Sequence, residues 1–109
     1  MRNPQCCGIE QVFDETHARD DLKDYRKNGP AKTTQLLIEQ LNKTGVAGQR
    51  LLDIGGGVGA IQHALLEAGA AHAVGVDASP AYLAAAHEEA ERRGLGERVE
   101  THSGNFVDI

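Results

Sequence analysis

Leu51-Leu52-Asp53-Ile54-Gly55-Gly56-Gly57-Val58-Gly59 decides how the rest of this 109-residue chain is read. An apolar run enters three consecutive glycines, passes one residue to a fourth and opens into a helical pattern, so the backbone must turn sharply beneath a ligand. Glycine suits such a turn because it reaches φ > 0 without strain and, lacking Cβ, lets a ligand lie against the main chain. The N–H groups exposed at the start of the following helix favour an anionic ligand group. The stretch therefore reads as a nucleotide-type cradle.

Downstream, residues 57–67 read as a helix, with Val58, Ile61 and Leu65 on one side, Ala60 and Ala64 permitting close approach to a sheet, and Gly69 as the stop. Residues 73–76 read as a short strand ended by Asp77. Ser79 can cap the next helix with its hydroxyl and Pro80 suits its first turn, so a helix is expected to about residue 93, closed by Gly94 and Gly96. Residues 98–102 are a third strand, with Val99 and Thr101 on one face, followed by the turn Ser103-Gly104-Asn105-Phe106.

Upstream, residues 51–54 fit a buried strand of a parallel sheet, with the polar Asp53 near its carboxyl end. Residues 31–43 place Thr34, Leu37, Ile38 and Leu41 at i, i+3, i+4 and i+7, the stripe of a helix with a buried face, and Gly45 stops it. Before the Gly29-Pro30 break, residues 13–28 are dense in charge, with Phe13, Leu22 and Tyr25 as sparse apolar points. A solvated helix is expected there, and Leu22 and Tyr25, three apart, can lie over a narrow apolar edge. Residues 1–12 show no clear period and are expected to be an irregular lead-in.

The resulting order is helix, helix, strand, helix, strand, helix, strand. Such alternation indicates an α/β fold with a parallel sheet and right-handed crossovers, here the first half of a Rossmann-like doubly wound sheet. Gly55-x-Gly57-x-x-Ala60 satisfies the dinucleotide fingerprint, and Asp77 stands where an acid is expected to hold ribose. A carboxylate there would repel a 2′-phosphate, which disfavours NADP.

Asp53 lies two residues before the first glycine of Asp53-x-Gly55-x-Gly57-x-Gly59, and this pattern resembles the first motif of class I S-adenosylmethionine-dependent methyltransferases. Gly75-Val76-Asp77-Ala78-Ser79-Pro80 resembles their second motif, and Gly104-Asn105-Phe106-Val107 the turn after their third strand, where the family usually has Asp at the Asn105 position. The resemblance covers residues 51–107 and implies the cofactor S-adenosyl-L-methionine. It assigns Gly55, Gly56 and Gly57 to backbone contact, Asp77 to ribose, Ala78 to the adenine face, and Asn105 and Phe106 to completing the adenine pocket, while Asp53 can hold the cofactor's ammonium directly or through water. An amide at Asn105 can still accept from the adenine amino group, with a neutral bond about 1 kcal/mol weaker than a charge-assisted one. For NAD, a carboxylate at Asp53 would approach a pyrophosphate of like charge.

The family's strand order begins 3-2-1-4, so the resemblance implies that strands 3-2-1 with N-terminal helices are present. Residues 1–30 are then a lead-in and cap helix, and 31–109 a cofactor-binding half-domain that is truncated. The fourth strand and the later helices would lie beyond it, leaving the first strand an open edge. That edge is expected to take a missing C-terminal half or a second copy. The Tyr25, Arg26 and Lys27 segment can act as a lid.

Composition bounds the rest. Hydrophobic residues make up 40% and charged residues 25%, as in a globular domain, and a formal charge of −5 offers no broad basic surface, so nucleic acid is not indicated as a partner. A small-molecule methyl acceptor is expected. Cys6 and Cys7 complete no metal spacing, and His17, His63, His72, His87 and His102 read as structural or solvent-facing. No metal site is expected. No apolar run reaches the roughly 20 residues of a membrane span and the polar start lacks a secretory core, so a cytoplasmic location is expected. The function that follows is methyl transfer to an unidentified acceptor, with no catalytic base named. The alternatives are a non-catalytic cofactor-binding or interaction module and an NAD-dependent oxidoreductase.

Overall fold

The computed structural model describes the backbone of residues 4–104 and the side chains of residues 14–104. Its elements are α1 (Pro4–Asn28), α2 (Lys32–Thr44), β1 (Arg50–Ile54), α3 (Ala60–Glu67), β2 (His72–Asp77), α4 (Pro80–Arg92), a single 3₁₀ turn (Gly96–Arg98) and β3 (Val99–Ser103). The strands pair in the order β1-β2-β3 and both pairings are parallel, which is the expected 3-2-1 half-sheet.

Two right-handed crossovers running in the same direction place both of their helices on one face of the sheet. Cα partners share a face, and the row Leu51, Ala73, Val99 packs under Leu65 and Leu66 of α3 and Ala90 of α4, with Ala70, Leu95 and Val46 closing the same core. Successive residues of a strand point to opposite faces. Leu52 and Ile54 thus turn away from the helices and are 58% and 48% exposed, so β1 is half-covered rather than buried on both sides. Among the described residues β1 pairs with β2 alone.

Two helix starts and the burial of one helix differ from the sequence reading. Helix α1 spans Pro4–Asn28, so residues 4–12 are helical where an irregular lead-in was expected. Proline tolerates the first turn of a helix, where its missing N–H has no partner to lose. Helix α3 begins at Ala60 rather than Gly57, because Gly59 sits at φ 86°, in the left-handed region where no helix can continue. Helix α2 contains no buried residue. It lies along the flank of α3 and reaches the core through Ile38 and Leu41, while Leu37, expected in the buried stripe, is 48% exposed.

Helix α1 crosses α4. Ala18, Leu22 and Tyr25, spaced by four and three residues, form the buried stripe of its described side chains and pack with Ala85, bordered by Val58, Ala60, Ala81 and Tyr82. The expected sharing of a face by Leu22 and Tyr25 is what the helix shows, with Ala18 added one turn earlier. This brings α1 to the end of the sheet where the strands run into the glycine turn.

Candidate cofactor site

The glycine turn leaves β1 with a sharp reversal. The Gly55 N–H donates to the Val76 carbonyl at 2.7 Å, so the turn starts while still tied to β2. Gly55 and Gly57 take φ values of 66° and 59°, a region that side chains with Cβ rarely adopt. A Cβ at Gly55 would meet nothing within 4 Å, and one at Gly57 only the Tyr82 ring at 4.0 Å, so the space above both is open. Gly56 is required for a different reason: the Asp53 carboxyl group folds against it, and a Cβ there would fall 2.6 Å from Asp53 Cγ.

Asp53 and Asp77 end up near one another because β1 and β2 are parallel neighbours. Asp53 lies opposite Gly75, and Asp77 is the last residue of β2. Asp77 Oδ1 accepts from the Ser79 N–H at 2.9 Å and its main-chain oxygen accepts from the Gly104 N–H at 3.0 Å, which fixes the carboxylate at the mouth of the sheet. Ser79 Oγ accepts from the Tyr82 N–H at 3.4 Å as the cap of α4, as its position before Pro80 suggests. Burial pushes the Asp53 carboxyl above the usual range, and the negative charge of Asp77 pushes in the same direction. Among the described residues Asp53 has no ion-pair or hydrogen-bond partner.

These features fit the expected ligand. A like-charged pair of carboxylates, an open surface over two left-handed glycines and the N-terminal end of α3 converge at the carboxyl ends of the strands, where ligands of open α/β sheets lie. Asp53, Gly55, Gly56, Gly57, Asp77 and the exposed Ala78 are brought together. Asn105 and Phe106 lie outside the described residues. Among the described residues no group of three or more His, Cys, Asp or Glu side chains could hold a metal ion, and no helix is long and apolar enough to cross a membrane.

Two sets of residues around the turn were not anticipated. Tyr82, whose ring borders Gly57, donates its hydroxyl to Asp21 Oδ2 of α1, and desolvation together with that bond leaves its hydroxyl pKa pushed up to about 12. Behind it, Glu89 of α4 is fully buried and accepts from Arg92 at 2.6 and 2.8 Å, from Arg93 at 2.9 Å and from Arg26 of α1 at 2.8 Å. The Arg92 bonds, followed by those of Arg93 and Arg26, hold its carboxyl well below the usual carboxylate range despite burial. Arg93 also bonds Glu67 and lies 5.2 Å from the centre of the Tyr25 ring. The signal in the sequence was the Glu89, Arg92, Arg93 spacing, which reads by itself as an ordinary exposed i, i+3/i+4 cluster.

Comparison with known proteins bears on the same residues. The family model of the methyltransferase domain matches residues 51–109. The ribosomal protein L11 methyltransferase of Serratia proteamaculans is 36% identical over 74 residues, which is 68% of this chain but 25% of that protein. The chain thus spans about a quarter of the length of the curated relatives it matches. A crystal structure described as an S-adenosyl-L-methionine-dependent methyltransferase of Methanococcus maripaludis superposes with a TM-score of 0.74 at 23% identity, covering 89% of this chain and 44% of that one. An RNA methyltransferase of Salinibacter ruber, crystallised with S-adenosyl-L-homocysteine, gives 0.62 at 23% identity, covering 73% and 51%. With strand, glycine turn, helix and the paired acids all in place, the chain belongs to the class I methyltransferase-domain family, whose cofactor is S-adenosyl-L-methionine.

Proposed function

We propose that this chain is the cofactor-binding part of an S-adenosyl-L-methionine-dependent methyltransferase, in which residues 31–109 form the binding half-domain and residues 1–30 its covering segment. The observation that carries the reading is Asp53: a partly buried carboxylate facing Asp77 and an open glycine turn and, among the described residues, without a cation of its own. The ammonium of the cofactor's methionine end supplies that cation. The turn N–H groups receive its carboxylate, Asp77 accepts from the ribose hydroxyls, and Ala78 lies against the adenine, with Asn105 and Phe106 completing that pocket.

Bound there, the cofactor supplies an electrophilic methyl group on a sulfonium, which a nucleophilic O, N, C or S atom takes by in-line displacement. The residues of this chain bind and orient, and the contribution of alignment can reach several kcal/mol. Helix α1, docked beside the turn through Tyr82 and Asp21, excludes water from one side. The acceptor is a small molecule in this reading, because a formal charge of −5 offers little to a phosphate backbone. A protein acceptor is the second reading, favoured by the relatives named for ribosomal protein L11. A cytoplasmic setting accompanies either.

Calorimetry with S-adenosylhomocysteine and NAD on one sample tests the ligand, and binding of NAD alone would end the proposal. Incubation with methyl-labelled cofactor and a cell extract, fractionated into small molecules, protein and RNA, then decides the acceptor. Label confined to RNA would reject both readings of it. No transfer to any fraction despite tight binding would favour a non-catalytic module.

A further inference from the structure

The second half of the glycine turn is held from below by a histidine. His63, in the first turns of α3, is fully buried. Its Nε2 lies 2.9 Å from the Val58 carbonyl, and its main-chain N–H donates to the Gly59 carbonyl at 2.9 Å, while the Gly59 N–H donates back to the Gly56 carbonyl at 3.0 Å. A Cβ at Gly59 would fall 2.7 Å from His63 Nε2 and 2.9 Å from Gln62 Nε2, so the ring fills the space that the left-handed glycine leaves.

A carbonyl can only accept, so Nε2 carries the hydrogen and the neutral ring leaves a lone pair on Nδ1. Among the described residues that buried Nδ1 has no partner. A second proton would place a donor there with no acceptor to receive it. The groups around the ring do not compensate. Tyr25 of α1 stacks at 6.2 Å with a 31° tilt, Glu67 of α3 and Glu89 of α4 are both bonded to guanidinium groups, and the Arg93 charge opposes another cation. Burial, the largest effect, holds the ring below its ordinary titration range, with the Val58 bond and the two acids opposing.

We propose that His63 is a positioning residue for the cofactor: the buried ring, by donating from Nε2 to the Val58 carbonyl, holds residues 55–59 in the conformation that binds, and a second proton, placed on Nδ1 where no acceptor meets it, drives the ring from that position. The proposal rests on the reading that this turn receives S-adenosylmethionine.

Two measurements on the 109-residue chain test it separately from that reading. In the ligand-free protein, the amide signals of Gly55, Gly56, Gly57 and Gly59 are followed by NMR from pH 7.5 to 4.5 beside the His63 ring signals. A shared midpoint is expected, and amides indifferent to the ring titration would overturn the proposal. Calorimetry with S-adenosylhomocysteine is then run on wild type and His63→Gln at pH 7.5 and pH 5. The wild type is expected to bind more weakly at pH 5 than at pH 7.5, by the factor that the ring midpoint read by NMR sets, with at most a tenfold loss per pH unit for one proton. His63→Gln, whose amide can still donate to Val58 but does not titrate, retains binding at pH 7.5 within about threefold and shows a smaller pH dependence, only the part due to Asp53. An equal pH dependence in both proteins would overturn the positioning role. Glycine amides that follow the ring in a protein that binds no S-adenosylhomocysteine would instead sink the cofactor reading and leave the strut standing.

Discussion

Asp53 and Glu89 are both carboxylates drawn away from water, yet their surroundings pull them in opposite directions. Glu89, in the seam between α1 and α4, meets three guanidinium groups and stays ionised to low pH. Asp53, in the glycine turn, meets another acid and gains a proton more readily than usual. Among the described residues the seam is electrostatically complete and the turn is not. A charge compensated internally belongs to the scaffold, whereas the one left facing its like is, in the proposed reading, the one that meets the cofactor's ammonium.

Substitutions can break this division. The largest effect on binding is expected from Gly56→Ala, whose methyl group would displace the Asp53 carboxyl: S-adenosylhomocysteine affinity should fall by about 100-fold, near 2.7 kcal/mol, by calorimetry. Glu89→Ala should instead cost about 3 kcal/mol of stability in denaturant melts, because three guanidinium groups lose their common acceptor, while affinity measured on the folded fraction stays within about threefold. An equal loss of affinity in the two variants would show that seam and turn are one unit. The pH dependence carries a sign as well. The folded pKa of Glu89 lies below its ordinary 4.5, so its contribution is complete above about pH 4.5 and is lost as pH falls below it. Asp53 has the opposite sign: its ionised form is a cost at neutral pH that is relieved as pH falls through its raised pKa. Glu89→Gln should therefore flatten the acid side of the stability profile.

Asp77→Asn sharpens the comparison from the other side. An amide oxygen can keep the Ser79 N–H bond, so the melting temperature should hardly move, whereas loss of the charge should weaken S-adenosylhomocysteine about tenfold. The smallest effect is expected from Tyr82→Phe, which removes a bond to an exposed partner and should cost about 1 kcal/mol or less in the same melts.

The turn was legible in the sequence because its causes are local. Glycines at positive φ, an acid two residues ahead and a second acid at the end of the next strand are all written within 27 residues. The parallel half-sheet followed from strand and helix alternation for the same reason. The seam was not legible, since Arg26 and Glu89 are 63 residues apart and only the crossing of α1 over α4 buries the acid between them. Exposure of Leu37, Leu52 and Ile54 likewise depends on which faces the helices cover, a property of packing rather than of periodicity. His63 is the intermediate case: its residue type was visible, but its burial beneath Gly59 was not.

Arg98 carries a consequence for how the molecule comes apart. Its guanidinium, just ahead of β3, donates to the Leu66 carbonyl at 2.7 Å, in the last turn of α3, and also to that of Ala70 beyond it. The third strand thereby terminates the first crossover, across 28 to 32 residues of sequence. Peeling β3 away would strip α3 of bonds at its end, so the amides of α3 and β3 are expected to exchange together when hydrogen exchange is followed residue by residue.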